Sequence, residues 1–177
     1  HKMRLSEIHN RISLSKNGYA LVTLHRPSNV DDVTNLSKII EVIRIINKDI
    51  PVVFPVHPRT QHTLSKSHID LDGIIRIEPV GYHDFLALQK SARFILTDSG
   101  GVQVEANFFG VPCLILRENT EWIVTVEEGT NMLVGLDSET ILKNVQLVME
   151  DKISSRADVE FWDSHVSRRI ISVLKKH

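Results

Sequence analysis

Asp98-Ser-Gly-Gly101 stands between a short apolar run, Phe94 to Leu96, and a segment of helical composition that begins at Val102. A buried strand that turns at once into a helix leaves unpaired backbone N–H groups at the carboxyl edge of the sheet, where the helix dipole adds partial positive charge. Such a turn is a place for an anion. The successive glycines Gly100 and Gly101 let a phosphate approach the backbone with no Cβ in the way, and Ser99 offers a hydroxyl on the same turn. Glu105 lies about one helical turn further on, within reach of sugar hydroxyls while a phosphate sits at the helix start. Phosphate plus ribose is a nucleotide. The plainer alternative makes Ser99 an N-cap and Glu105 a solvated helix charge. The turn has neither the GxGxxG spacing nor a Walker lysine, so it supports neither a dinucleotide site nor a P-loop.

The rest of the chain must position this turn, and it does so by alternation. Strands are predicted at Tyr19 to Leu24, Val52 to Val56, Ile74 to Ile77, the run at Phe94, Pro112 to Leu116 and Asn131 to Val134. Between them, Val33 to Ile46 carries Leu36, Ile39, Ile40, Ile43 and Ile46 at helical spacing behind the N-cap candidates Asp31 and Asp32. Further helices are predicted at Gln61 to Ser67, Tyr82 to Ser91, Glu121 to Glu128, Glu139 to Met149 and Ser164 to Leu174, with a short amphipathic one at Leu5 to Leu14 and a polar gap from Asp151 to Asp158. Six strands separated by helical segments imply an α/β fold, a doubly wound, Rossmann-like parallel sheet. In such sheets ligands bind outside the carboxyl ends of the strands.

Five loops therefore share one rim: His25-Arg-Pro-Ser-Asn29, His57-Pro-Arg-Thr60, Glu78-Pro-Val-Gly-Tyr82, the Ser-Gly-Gly turn, and Arg117-Glu-Asn-Thr-Glu121. The rim collects His, Arg, Glu and backbone donors. No two His share a helix face at ligand spacing, so a metal site is not expected, and the Asp31-Asp32 pair reads as a helix start.

Composition narrows the class. The 177 residues suit one domain, and a formal net charge of -1 offers no basic surplus to displace counterions from a nucleic acid. No apolar run approaches the roughly 20 residues of a spanning helix, and the start is not a signal peptide, so a cytoplasmic setting without membrane attachment is expected. The single Cys113, within an apolar run, reads as core.

Leu21-Val-Thr-Leu-His-Arg26, His57-Pro58, Glu78-Pro-Val-Gly-Tyr82, Leu96-Thr-Asp-Ser-Gly-Gly-Val-Gln103 with Glu105-Ala106, Leu114-Ile-Leu-Arg117, Thr120-Glu121 and Glu128-Gly-Thr130 resemble the non-hydrolysing UDP-N-acetylglucosamine 2-epimerases. The resemblance runs from about Tyr19 to Leu174 and covers only the family's carboxyl-terminal domain. It implies one half of a two-domain glycosyltransferase-B fold, with residues 1–177 as a single UDP-binding domain, the amino-terminal domain absent, and a homodimer open for the longer protein. Ser99, Gly100 and Gly101 would contact the diphosphate and Glu105 the ribose. Phe85 matches a position whose backbone meets the uracil, and core packing is its other reading. His25 matches a cleft histidine that assists departure of UDP. Arg26 and His57 match positions that bind a second UDP-sugar as effector. Arg117 either adds charge to the phosphate pocket or pairs with Glu118 or Glu121.

The implied reaction inverts C2 of UDP-N-acetylglucosamine to give UDP-N-acetylmannosamine by eliminating and re-adding UDP, with no cofactor. Its key carboxylates sit on the amino-terminal domain, so the chain alone is expected to bind and not to turn over. The alternatives are a stand-alone nucleotide-sugar binding or regulatory module, and the carboxyl-terminal half of a glycosyltransferase. Several departures bear on the effector site and on domain closure more than on the nucleotide pocket. Ser28-Asn29 stands for the usual Glu-Asn, Val104 for the first acid of Gln-Glu-Glu-Ala, and Trp122-Ile-Val124 for Arg-Pro-Glu. Trp162-Asp-Ser164 stands for a late Gly-Asp-Gly.

Overall fold

The computed structural model describes Ile8, residues 14–153 and residues 159–175. The helix predicted over Leu5 to Leu14 lies outside them except for Ile8 and Leu14, as does most of the polar gap after Asp151. Six strands, β1 (Ala20–Thr23), β2 (Val52–Pro55), β3 (Ile75–Ile77), β4 (Phe94–Thr97), β5 (Cys113–Ile115) and β6 (Asn131–Leu133), form one parallel sheet in the order β3-β2-β1-β4-β5-β6. Helices α1 (Pro27–Val30), α2 (Val33–Ile46), α3 (Pro58–Lys66) and α4 (Tyr82–Ser91) connect the first four strands. Then come α5 (Gly100–Phe109), α6 (Ile123–Glu127), α7 (Ser138–Met149) and α8 (Val166–Leu174).

Side chains alternate across each strand, and both faces are covered, which is why the strands read as unbroken apolar runs. Ala20, Val22, Val52, Phe54, Phe94, Leu96 and Leu114 pack against Leu36, Ile40 and Ile43 of α2 and Ile141 and Val145 of α7. On the other face Leu21, Val53, Ile95, Cys113 and Ile115 meet Leu88 of α4 and Val102 and Ala106 of α5. Each fully buried Leu or Ile of this kind stabilises the fold by about 1.5 to 3 kcal/mol. Cys113 is core, and burial pushes its thiol well above the ordinary range.

The strand order reverses between β1 and β4, which pair from Ala20 opposite Phe94 to Thr23 opposite Thr97. Because the connections on either side of this point run to opposite faces, a crevice opens beyond the carboxyl ends of these two strands. The register brings the His25 loop and the Asp98 turn out of the sheet side by side.

Local chemistry sets the helix ends. Asp32 caps α2, accepting from the N–H groups of Thr34 (2.8 Å) and Asn35 (3.1 Å). Asp31 does not share that role: it accepts from Arg59 Nε at 2.8 Å and tethers α3 to the β1 loop. Helix α3 begins three residues before the predicted Gln61, since Pro58 is preorganised for the first turn and His57 Nδ1 accepts from the Arg59 N–H (3.2 Å). Gly110 ends α5 at φ 68°, a left-handed cap that a residue with a Cβ adopts only under strain. Helix α8 buries none of its residues. Among the described residues no helix is long and apolar enough to cross a membrane.

Candidate functional site

Asp98 is the first residue after β4, and its side chain is completely buried. A buried carboxylate needs compensation, and here the whole β1 loop supplies it. His25 N–H (3.1 Å), Arg26 N–H (3.0 Å) and Asn29 Nδ2 (3.2 Å) donate to it, and His25 Nδ1 lies 3.0 Å from Oδ1. Arg26 Nε donates to the Asp98 carbonyl (3.1 Å), and Asn29 Nδ2 reaches the Leu116 carbonyl (2.9 Å). One carboxylate thus ties the loops after β1, β4 and β5 together. The contact also makes Nδ1 the protonated nitrogen of His25 and leaves Nε2 for the cleft. Sequence reasoning passed over Asp98; its only signal is an acid placed directly at the end of an apolar strand.

The α5 start differs from a simple capped turn. Ser99 occupies the N-cap position with no side-chain capping bond, so its hydroxyl remains available, while its own N–H donates to Thr97 Oγ1 (3.0 Å). The two glycines have separate roles. A Cβ at Gly101 would meet nothing within 4 Å, so this position faces open space. A Cβ at Gly100 would stand 2.5 Å from Glu121 Oε1 and 3.5 Å from Trp122 Nε1. Gly100 is therefore small because the β5 loop packs on it.

Glu105 is no freely solvated charge. Gln89, fully buried in α4, donates from Nε2 to Glu105 Oε2 at 2.6 Å. The Tyr82 hydroxyl is raised above its usual range by the Glu105 charge and by a hydrogen bond to it. The carboxylate is thus held between two side chains of α4. Phe85 packs against the second core cluster, and its N–H is engaged with the Gly81 carbonyl at 2.9 Å. The backbone donors at the start of α4 with no partner inside the helix include those of Tyr82 and His83. They adjoin a concavity of 460 Å³ lined by Ile8, residues 77–81 and Asp84.

The cations divide along the rim. Arg117 pairs with Glu121 (Nη1 to Oε2, 2.8 Å), and Arg26 reaches the same carboxylate at 3.7 Å. Both line a cavity of 230 Å³ with Asn29 and Leu116. His57 is exposed on the other side, its ring 5.7 Å from that of His25. Arg26 and His57 are therefore turned to different neighbours. Among the described residues no group of three or more His, Cys, Asp or Glu is placed to hold a metal ion.

A family model described as UDP-N-acetylglucosamine 2-epimerase matches residues 1–175. The chain is 40% identical over 174 residues to a UDP-N-acetylglucosamine 2-epimerase homolog of Methanococcus maripaludis, covering 96% of this chain and 48% of that protein. It is 37% identical over 163 residues to UDP-2,3-diacetamido-2,3-dideoxy-D-glucuronate 2-epimerase of Pseudomonas aeruginosa, covering 92% and 46% respectively. The crystal structure of Methanocaldococcus jannaschii UDP-GlcNAc 2-epimerase in complex with UDP-GlcNAc and UDP superposes with a TM-score of 0.83 at 37% identity. That match takes in 97% of this chain and 49% of the other. The chain spans about half the length of the relatives it matches.

Proposed function

The chain belongs to the UDP-N-acetylglucosamine 2-epimerase family, and we propose that it is the carboxyl-terminal, UDP-binding half of such an enzyme. The observation that carries this reading is the α5 start: an uncapped Ser99 hydroxyl, an open Gly101 and free backbone N–H groups, directly beside the Asp98–His25 pair. The diphosphate occupies that start, Glu105 takes the ribose hydroxyls, and the uracil lies over the start of α4, where Phe85 packs beneath it. The solved relative in complex with UDP-GlcNAc and UDP supports the ligand class.

The reaction proposed for the whole enzyme eliminates UDP from the sugar to leave a glycal and adds it back after C2 is protonated from the opposite face. The negative charge that develops on the leaving diphosphate meets fixed N–H dipoles at the α5 start and the Arg117 guanidinium, which need no reorganisation as the bond breaks. His25, held by Asp98 through Nδ1, faces the same oxygens with Nε2 and assists their departure as the imidazolium, in which Nε2 also carries a proton to donate. The acid and base at C2 are assigned to the amino-terminal half of the two-domain fold. Arg26 and His57 are assigned to an effector UDP-sugar, although their different neighbours require the ligand to draw them together.

The sugar is an N-acetylated amino sugar. The relative acting on a diacetamido uronate keeps the glucuronate sugar open beside N-acetylglucosamine. Calorimetric titration with UDP, uridine and the two UDP-sugars tests the reading: UDP must bind much more tightly than uridine. A stand-alone binding module would bind equally well and gain no turnover when the second half is supplied.

A further inference from the structure

Glu121 has no role in the account above, yet its carboxylate lies where the diphosphate is placed. Its Oε1 rests against the Cα of Gly100, the first residue of α5, closely enough that a Cβ there would stand 2.5 Å away. The helix has no acidic residue in its own first turn and no side-chain cap from Ser99, so the anion facing its positive end comes from another loop. That loop is pinned in place: Thr120 Oγ1 donates to Gln103 Oε1, the Trp122 N–H donates to Thr120 Oγ1 (3.1 Å), and Thr125 Oγ1 donates to the Trp122 carbonyl (2.7 Å). A hydrogen bond from its own backbone N–H, and then Arg117, hold the Glu121 carboxyl below the usual carboxylate range, so it is charged at neutral pH.

Of its two cations, Arg117 and the more distant Arg26, the nearer is the one assigned above to the diphosphate. Arg117 is 10% exposed and Glu121 50% exposed. Arg117 Nη1 stands at ion-pair distance from Glu121, but no acceptor meets its hydrogen-bonding geometry. The pair is close without being well aligned, and the buried Nη1 is left without a hydrogen-bond acceptor.

We propose that Glu121 is a resident anion of the diphosphate site, a built-in competitor that admits only ligands able to draw Arg117 away from it. A diphosphate brings more charge and more acceptor oxygens than one carboxylate and can align with a guanidinium fork. A nucleoside without phosphate gains nothing by displacing Glu121. The residue thus sets specificity for phosphorylated ligands at a cost in affinity. This inference rests on the UDP-binding reading.

The test titrates the chain, Glu121→Gln and Glu121→Ala with UDP and with uridine. Glu121→Gln removes the charge and keeps the shape; Glu121→Ala also frees Arg117 completely. Both variants should bind UDP about threefold or more tighter, with uridine unchanged. A fall in UDP affinity would make Glu121 an orienting partner for Arg117, and no change would leave it a surface charge; either overturns the proposal. A gain shared equally by uridine would also overturn it, since the effect would not depend on phosphate. If the unmodified chain binds UDP no better than uridine, the diphosphate site itself fails and the proposal falls with it.

Discussion

His25 Nδ1 lies 3.0 Å from the buried carboxylate of Asp98, 73 positions away in sequence. The side chain of His25 is 41% exposed and that of Asp98 fully buried, so one end of the imidazole is fixed inside the protein while the other meets the cleft. Asp98→Asn keeps the shape but turns a donor toward Nδ1, forcing the other tautomer or a rotated ring. In a protein carrying both halves, kcat should fall by about 10- to 100-fold, with UDP affinity changing far less. Equal losses in steady-state rate and in UDP titration would make Asp98 only the tie that holds the β1 loop.

The division between the two glycines gives a clean substitution. Gly101→Val adds a branched side chain where nothing stands within 4 Å, so the fold should be unaffected and thermal unfolding unchanged. UDP affinity should drop at least about tenfold, and uridine affinity should not. Retained UDP binding would mean that the anion sits elsewhere on the rim.

Glu105→Gln removes the charge proposed to hold the ribose while keeping an oxygen for Gln89 Nε2. A charged hydrogen bond to a hydroxyl is worth about 1 to 3 kcal/mol, and the loss of UDP affinity should fall in that range. A UDP analogue lacking the ribose hydroxyls should be indifferent to the substitution. Equal weakening of both ligands would identify Glu105 as a structural brace between α4 and α5.

Cys113 lies in the central sheet, and burial raises its thiol pKa. A raised pKa leaves almost no thiolate at neutral pH, and reactivity follows the thiolate. A thiol reagent should therefore modify the chain only after denaturation, with UDP binding insensitive to the reagent under native conditions. Fast labelling of the folded protein would contradict the packing of β5.

The sheet was readable because its strands are buried on both faces, and α2 was readable to the residue because Asp32 and the apolar stripe from Leu36 to Ile46 agree. The one-turn α1 is too short to show a period, and the early start of α3 was missed although Pro58 marks it. The turn at Ser99 could be placed from composition, since strand, Ser-Gly-Gly and helix are consecutive. What could not be read were relations between loops. That Asp98 binds three residues of the β1 loop, that Arg117 chooses Glu121 over Glu118, and that Gly100 yields to Glu121 all depend on a register set by pairing of distant strands.

Binding and chemistry draw on different groups in this chain, which leads to the last prediction: the 177 residues alone bind UDP and show no epimerase activity. The proposed anion site needs only one turn of backbone and its neighbours, all within the chain. Inversion at C2 requires one proton to leave one face of the sugar and another to arrive at the opposite face, with an acid and a base each within hydrogen-bond reach of that carbon. His25 is fixed at one end by its bond to Asp98, and a single group held on one side cannot serve both faces. Supplying the amino-terminal half, joined or as a separate polypeptide, should restore turnover. In that assembly His25→Ala should lower the rate far more than it lowers UDP affinity, because a group aimed at the leaving oxygens acts chiefly as the bond breaks. A coupled assay for UDP-N-acetylmannosamine formation decides the matter. Conversion of UDP-N-acetylglucosamine by the purified chain on its own would sink the two-wall argument and place the acid and base among its own residues.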